Sequence, residues 1–334
     1  KTGPPGQGLA VTGVQARESG VMARCFVTRH LPGTALLRLA EHHEVDTWAE
    51  HHPPPPEALC ERAGEVEGLL SLLTDAIDAE LIAACPRLKV ISNMAVGCDN
   101  VDVAAAQARG IAVGFTPDVL TETTADLAFA LILAVARRLP DARAAVLDGR
   151  WATWDPGFLL GRDVHGATLG IVGHGRIGRA VARRAAGFDM TVLHSGSSGG
   201  LILDELLERA DFVSLHCPLT PATHHLINEA ALERMKPTAF LINTARGPIV
   251  DQAALGRALE KRTIAGAALD VTDPEPLPPD DPLLGAPNLI VLPHVGSATH
   301  ATRERMADLA VDNLLAGLAG QPLPHAFGDA TGRG

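Results

Sequence analysis

The feature that most constrains this chain is the run Leu169-Gly170-Ile171-Val172-Gly173-His174-Gly175-Arg176-Ile177-Gly178, where an apolar stretch breaks into G-x-G-x-x-G. It reads as a strand, a phosphate-binding loop and a helix start. Residues 168–172 suit a buried parallel strand, and residues 177–183 continue at helical spacing with Arg179 and Arg183 on the outer face. Gly173 allows the tight turn out of the strand, Gly175 has no Cβ to hold the backbone off a pyrophosphate, and Gly178 lets the helix pack close on the sheet. The unpaired N–H groups of the helix N-terminus then face the anion. Three glycines in six residues also occur in ordinary turns. Context decides: a strand precedes them, a helix follows, and a second apolar strand at 190–194 stands where a βαβ unit places one.

At 334 residues and 46% hydrophobic, the chain is expected to form more than one domain. The long apolar stretch 127–136 runs into Arg137-Arg138, well short of the roughly 20 residues of a bilayer span, so no membrane partner is expected. A net charge of -11 offers no basic stripe for nucleic acid, and an anionic substrate must be held by local groups against that field. Cys25, Cys60, Cys85, Cys98 and Cys217 are scattered without a C-x-x-C pair, which fits reduced thiols in a cytoplasmic protein. With no tyrosine, the tryptophans Trp48, Trp151 and Trp154 stand out.

Residues 1–21 are rich in Gly, Pro and Gln, show no period, and are expected to be a disordered leader or an expression remnant. Strands then read at 23–28, near Val45, at 69–73 and at 88–92, with helices at 33–42 and 78–84. A long apolar helix is expected from 121 to 138, continuing to about 149, where it serves as inter-domain connection and subunit interface. Past the glycine motif, strands at 211–216, 238–243, 264–270 and 289–292 alternate with helices at 203–210, 228–235 and 251–260, and a last helix covers 301–318. This alternation implies α/β architecture with parallel sheets covered by helices.

The patches Glu41-His42-His43-Glu44 and Glu50-His51-His52 invite a metal reading, but no spacing there matches a ligand set; a solvated helix end and loop is expected, with the following prolines stopping a helix. No metal is expected elsewhere. The turn 93–102 follows a strand at the end where such folds hold ligands, so amides at Val96 and Gly97 are candidates for an anion. An ordinary turn with Asp99 or Asn100 as helix cap is the competing reading.

Three residues fall where strands of the second sheet end: Arg246 in Asn243-Thr244-Ala245-Arg246-Gly247, Glu275 in Asp273-Pro274-Glu275-Pro276, and His294 in Pro293-His294-Val295-Gly296-Ser297. Arginine offers a fork of donors for a carboxylate and an adjacent carbonyl. Histidine exchanges a proton near neutral pH, and a carboxylate on its other nitrogen fixes its tautomer. Together, beside a dinucleotide motif, they suit reduction of a 2-keto acid by a nicotinamide.

From about Met22 to His325 the sequence resembles the D-isomer-specific 2-hydroxyacid dehydrogenases, and within them the glyoxylate and hydroxypyruvate reductases. The resemblance is carried by Thr116-Pro117-Asp118-Val119-Leu120-Thr121, by residues 269–278 (LDVTDPEPLP) and by His294-Val295-Gly296-Ser297-Ala298-Thr299-His300. It implies two doubly wound parallel-sheet domains: a Rossmann dinucleotide-binding domain at 121–297, and a discontinuous flavodoxin-like substrate domain formed by 22–120 plus 298–328. It implies Arg246, Glu275 and His294 as the catalytic set, and a substrate site of Val96, Gly97, Arg246, His294 and Ser297. Gly173, Gly175, Arg176, Ile177 and Gly178 would face the cofactor, as would Cys217, Pro218, Thr244, Ala245, Asp270 and Gly296. Trp154 would reach the neighbouring subunit's site in a homodimer formed through 121–154. Other substrates of that family (phosphoglycerate, phosphite, a bulkier keto acid) and a nucleotide-sensing protein of the corepressor type are the alternatives.

The departure lies about 20 residues past the glycines, where an NAD enzyme presents Asp or Glu to the ribose 2′-hydroxyl. Here stands His194-Ser195-Gly196-Ser197-Ser198-Gly199-Gly200, without a carboxylate and shorter than usual. Ser195, Gly196 and Ser197 are therefore expected at the ribose, with NADP or NAD accepted and NADPH favoured.

Overall fold

The computed structural model describes residues 22–197 and 199–328, so the expectation for residues 1–21 lies outside the described residues. Two separate parallel sheets form. The first takes β1 (Arg24–Val27), β2 (Glu44–Thr47), β3 (Gly68–Ser71), β4 (Val90–Asn93) and β5 (Ala112–Gly114) in the order β2-β1-β3-β4-β5. Its connections are α1 (Ala35–Ala40), α2 (Pro56–Gly64), α3 (Ala79–Ala84) and α4 (Val103–Ala108). Phe26, Leu69, Leu70, Val90 and Ile91 are wholly buried, as central strands covered on both faces must be.

After α5 (Thr121–Ala136) and α6 (Leu139–Leu147), the second sheet takes β6 (Thr168–Val172), β7 (Thr191–Ser195), β8 (Phe212–Leu215), β9 (Phe240–Asn243), β10 (Gly266–Leu269) and β11 (Leu289–Val291). The order is β11-β10-β9-β8-β6-β7. The crossovers α7 (Arg176–Ala186), α8 (Leu203–Arg209), α9 (Glu229–Arg234) and α10 (Gln252–Glu260) separate these strands. Counted from the glycine motif this is 2-1-3-4-5-6, so β7 is an edge strand, where the usual Rossmann order 3-2-1-4-5-6 puts one more strand outside it. The chain leaves β7 through α8 and returns as β8 beside β6, not beyond β7.

The last helix, α11 (His300–Leu318), returns to the first sheet. Met306, Ala307, Ala310, Val311 and Leu314 share one core with Cys25, Val27, Leu70 and Val90. Ser92 Oγ donates to the Ala310 carbonyl at 2.7 Å, and Asn313 Nδ2 to that of Phe115 at 2.9 Å. Thr299 caps the helix by accepting the Thr302 N–H.

Three local expectations are corrected. The helix expected from 121 to about 149 breaks at Arg138, which adopts φ 53°. Pro140 lacks an N–H and its ring would strike the preceding turn, so the chain restarts as α6, with Arg138 Nε and Nη2 on Asp141 Oδ2 at 3.0 and 2.9 Å. The prolines after His52 open a helix instead of stopping one: Pro55 is the cap and Pro56 the first residue of α2, where a missing N–H costs nothing. Neither Asp99 nor Asn100 caps α4. Asp102 does, accepting the Ala105 N–H at 2.9 Å.

Candidate active site

The three glycines do three different things. Gly173 has φ +94°, and a Cβ there would stand 2.4 Å from the Cys217 nitrogen; one on Gly178 would stand 2.3 Å from the Gly173 carbonyl oxygen. At Gly175, the N-cap of α7, nothing lies within 4 Å of the Cβ position. The backbone there borders open space while the helix behind it presents unpaired N–H groups, the arrangement a pyrophosphate requires. Thr244 Oγ1 is buried with no hydrogen-bond partner among the described residues, a polar atom left for a ligand. Arg176 is tied to Asp118 Oδ1 at 3.0 Å, which links the start of α7 to the segment leading into α5. These features fit a dinucleotide.

Beside the glycine loop, at the end of β7, His174 stacks flat on His194, with centroids 4.2 Å apart and planes 9° apart. The turn after β7 folds back over this pair: Leu201 N donates to the His194 carbonyl at 2.8 Å. Gly200, at φ +105°, lies so close that a Cβ would meet that oxygen at 2.1 Å. No carboxylate occupies the positions of Ser195, Gly196 and Ser197. At the next strand end, burial pushes the Cys217 thiol up to about 11, so it stays protonated beside the glycine loop.

His294 and Glu275 are paired by two loops. His294 Nδ1 lies 2.9 Å from Glu275 Oε2, and Glu275 Oε1 accepts the Thr272 N–H at 3.0 Å. His294 adopts φ 54°, a left-handed turn that lifts it off the end of β11. Asp270 holds that turn from below, its carboxylate oxygens accepting the N–H groups of Val295 and Gly296 at 2.8 and 2.7 Å. Burial raises the Asp270 pKa, and the two N–H groups and His294 oppose the rise. The resemblance places Asp270 only along the cofactor; the structure makes it a brace for the loop that carries His294.

Arg246 follows β9 and crosses to the first sheet, with Nε 3.1 Å from both Asp99 oxygens, Nη2 3.0 Å from Asp99 Oδ1, and Nη1 on the Ala245 carbonyl at 2.8 Å. Burial opposes the Asp99 charge, but these hydrogen bonds and the guanidinium outweigh it and hold the carboxyl below its ordinary range. One N–H on each Nη nitrogen remains uncommitted among the described residues. Gly97 sits directly under this fork, since a Cβ there would come within 2.1 Å of Arg246 Nη2. Asn93 Nδ2 fixes the same turn through the Gly97 carbonyl at 3.0 Å, and Asn100 Nδ2 ties it to the Leu72 and Asp75 carbonyls at 3.0 and 2.9 Å.

The structure thus sets Gly97 against Arg246 and brings the Arg246–Asp99 pair within electrostatic reach of His294 and its partner Glu275, where the two sheets meet. Ser297 lies three residues past His294 in the same turn, half-buried. Trp154 is not brought there within the chain; it stands 81% exposed in the loop after α6. Sequence reasoning missed Asp99 as the partner of Arg246 and the paired asparagines that fix the Gly97 turn. The available signal was an acidic residue two places beyond the glycine of an anion-binding turn, where a capping role is the more local reading.

Residues 129–296 match the family model of the D-isomer specific 2-hydroxyacid dehydrogenase NAD binding domain. A glyoxylate reductase of Korarchaeum cryptofilum is 50% identical over 90% of this chain and 95% of its own length. A crystal structure of a Thermus thermophilus protein superposes with a TM-score of 0.86 at 51% identity, covering 91% of this chain and 99% of that one. An NADPH-dependent glyoxylate/hydroxypyruvate reductase of Sinorhizobium meliloti, solved with NADP and malonate, gives a TM-score of 0.79 at 35% identity, covering 93% and 98% of the two chains. With its glycine loop, its Arg246, His294 and Glu275 cleft and this similarity along nearly its whole length, the chain belongs to the D-isomer specific 2-hydroxyacid dehydrogenase family.

Proposed function

We propose that this protein reduces glyoxylate and hydroxypyruvate to the D-2-hydroxy acid with NADPH, and with NADH less well. The observation that carries the reading is the pairing of His294 Nδ1 with Glu275 at 2.9 Å, in a cleft that also holds an arginine with two free donors. The reduced nicotinamide, when bound, supplies a hydride to C2. The remaining steps belong to this chain. Arg246 grips the substrate carboxylate with its uncommitted Nη protons, and the Val96 and Gly97 amides hold the same group from the first sheet. Glu275 accepts the Nδ1 proton of His294 in a hydrogen bond, so that Nε2 faces the keto oxygen and delivers its proton as the C–O π electrons move to that oxygen. The sum is R–CO–COO⁻ + NADPH + H⁺ → R–CHOH–COO⁻ + NADP⁺. Asp99 acts through Arg246 and Asp270 through the His294 turn; both are positioning residues.

The domain assignment follows the same cleft: residues 121–297 bind the nucleotide, and 22–120 with 298–328 bind the keto acid. Preference for NADPH is supported by the missing carboxylate at the end of β7 and by the short turn of Ser195, Gly196 and Ser197. Initial rates with each nucleotide and glyoxylate, hydroxypyruvate and pyruvate test the reading. NADPH is expected to give the higher kcat/KM, with glyoxylate or hydroxypyruvate the better substrate. No turnover of any of the three keto acids would refute it and favour another substrate or a nucleotide sensor.

A homodimer through residues 121–154 completes the proposal. Leu139, Val146, Leu147, Trp151 and Trp154 are all exposed on α6 and the loop after it, apolar side chains, two of them tryptophans, of the kind that anchor a partner surface. Sedimentation at twice the mass of the 34.9 kDa chain checks this. Five free cysteines support a reducing, cytoplasmic setting. No helix among the described residues is long and apolar enough to cross a membrane.

A further inference from the structure

The carboxyl ends of the first sheet's strands border a second recess, a cavity of about 290 Å³ lined by Arg29, His30, Glu50, His51, Met94 and Arg303 among others. That volume is near the lower end of the roughly 300–1,000 Å³ of small-molecule sites. It abuts the cleft. Met94 precedes Val96 by two residues, and Arg303 follows Ser297 by six, on the second turn of α11.

The two arginines are not equivalent. Arg29 is matched: Nη1 lies 3.5 Å from Oδ1 of the buried Asp75 and Nη2 3.2 Å from Thr74 Oγ1. Arg303 is half-buried; its backbone N–H donates to the Thr299 carbonyl at 3.0 Å, and its guanidinium makes no hydrogen bond or ion pair with any described residue. Burial works against its charge and Asp270 favours it. A partly desolvated guanidinium with all its donors uncommitted, facing a cavity whose single acidic lining residue is the exposed Glu50, is a site built for an anion. In a chain of net charge -11, such local cationic character is not a by-product of composition.

We propose that this recess is a second anion subsite, in which Arg303 holds an acidic group at the far end of a short 2-keto acid while Arg246 holds the carboxylate beside the carbonyl. The inference rests on the reductase reading and deepens it: beside glyoxylate and hydroxypyruvate the enzyme takes short 2-keto acids with a second acidic group, in preference to uncharged analogues of the same length. For a C4 dicarboxylate, C2 gains the hydride of the reduced nicotinamide, the C2 oxygen gains the proton of His294, and the products are the 2-hydroxydicarboxylate and the oxidised nucleotide.

The test compares kcat/KM for oxaloacetate with that for 2-oxobutyrate, which has the same chain length without the second carboxylate, in wild type, Arg303→Gln and Arg303→Lys. The wild type is expected to favour oxaloacetate. Arg303→Gln should lower the ratio about tenfold or more, as loss of a hydrogen bond to a charged group does, and Arg303→Lys should keep most of it. Each ratio is internal to one variant, so partial misfolding cancels. A wild type without that preference, or a Gln variant whose ratio stays within about twofold of wild type, overturns the subsite. Glyoxylate separates the two ideas: if it is not reduced, the reductase reading fails; if it is reduced and the ratio does not move, only the subsite fails. Inorganic phosphate separates a substrate group from a free anion. It should raise KM for oxaloacetate alone; an Arg303-dependent effect on 2-oxobutyrate turnover would make the recess an effector site and overturn the proposal.

Discussion

Replacing His294 by Asn is expected to lower kcat by about 10²- to 10⁴-fold, the span of a lost general acid, with the affinity for NADPH little changed. Asn is the informative choice because His294 holds φ 54°, a left-handed conformation that Asn tolerates and most other residues resist. The Asp270 brace on Val295 and Gly296 then stays in place, and the loss reports the proton and not a displaced loop. Glu275→Gln should cost less and should change the pH profile of kcat, since the amide keeps a hydrogen bond to Nδ1 but no longer stabilises the imidazolium. Fluorescence titration with NADPH and initial rates against pH check both. Wild-type kcat in the Asn variant would remove His294 from the chemistry.

Arg246→Ala should lower kcat/KM by about 10²- to 10³-fold or more, because it removes the grip on the substrate carboxylate and a donor beside the developing alkoxide. It should also destabilise the fold slightly. The Asp99 carboxylate loses its partner, and with 38% of that side chain exposed the cost is about 1 kcal/mol. The double variant Arg246→Ala/Asp99→Ala separates the two effects: urea stability should return toward wild type while activity stays low. Activity that returned together with stability would mean that Arg246 serves the fold alone.

Legibility in the sequence follows the range of the forces involved. The phosphate loop is readable because each glycine answers a constraint a few residues away: the tight turn at Gly173, the open approach at Gly175, the helix contact at Gly178. Arg246, Glu275 and His294 are readable as polar residues at strand ends, where α/β sheets place ligands. Asp99 is not, because its partner lies 147 residues along the chain, and a carboxylate just ahead of a helix has an equally good local explanation as a cap. Arg303 gives no signal for the same reason: within α11 it is an ordinary helical arginine, and only the tertiary fold turns it toward a cavity. The helix break at Arg138 has its signal in Pro140, which an uninterrupted apolar pattern obscures. The edge position of β7 has no local signal, because the side of β6 to which the chain returns after α8 is a matter of tertiary packing.

The central claim is direct transfer of hydride to C2 on one face of a keto acid, with the proton delivered by the protein. The most direct measurement is reduction of hydroxypyruvate by NADPH carrying deuterium at the transferable C4 position, with chiral and mass analysis of the product. The account predicts glycerate of D configuration with one deuterium, on C2. Glycerate of L configuration, or D-glycerate without deuterium at C2, would contradict it.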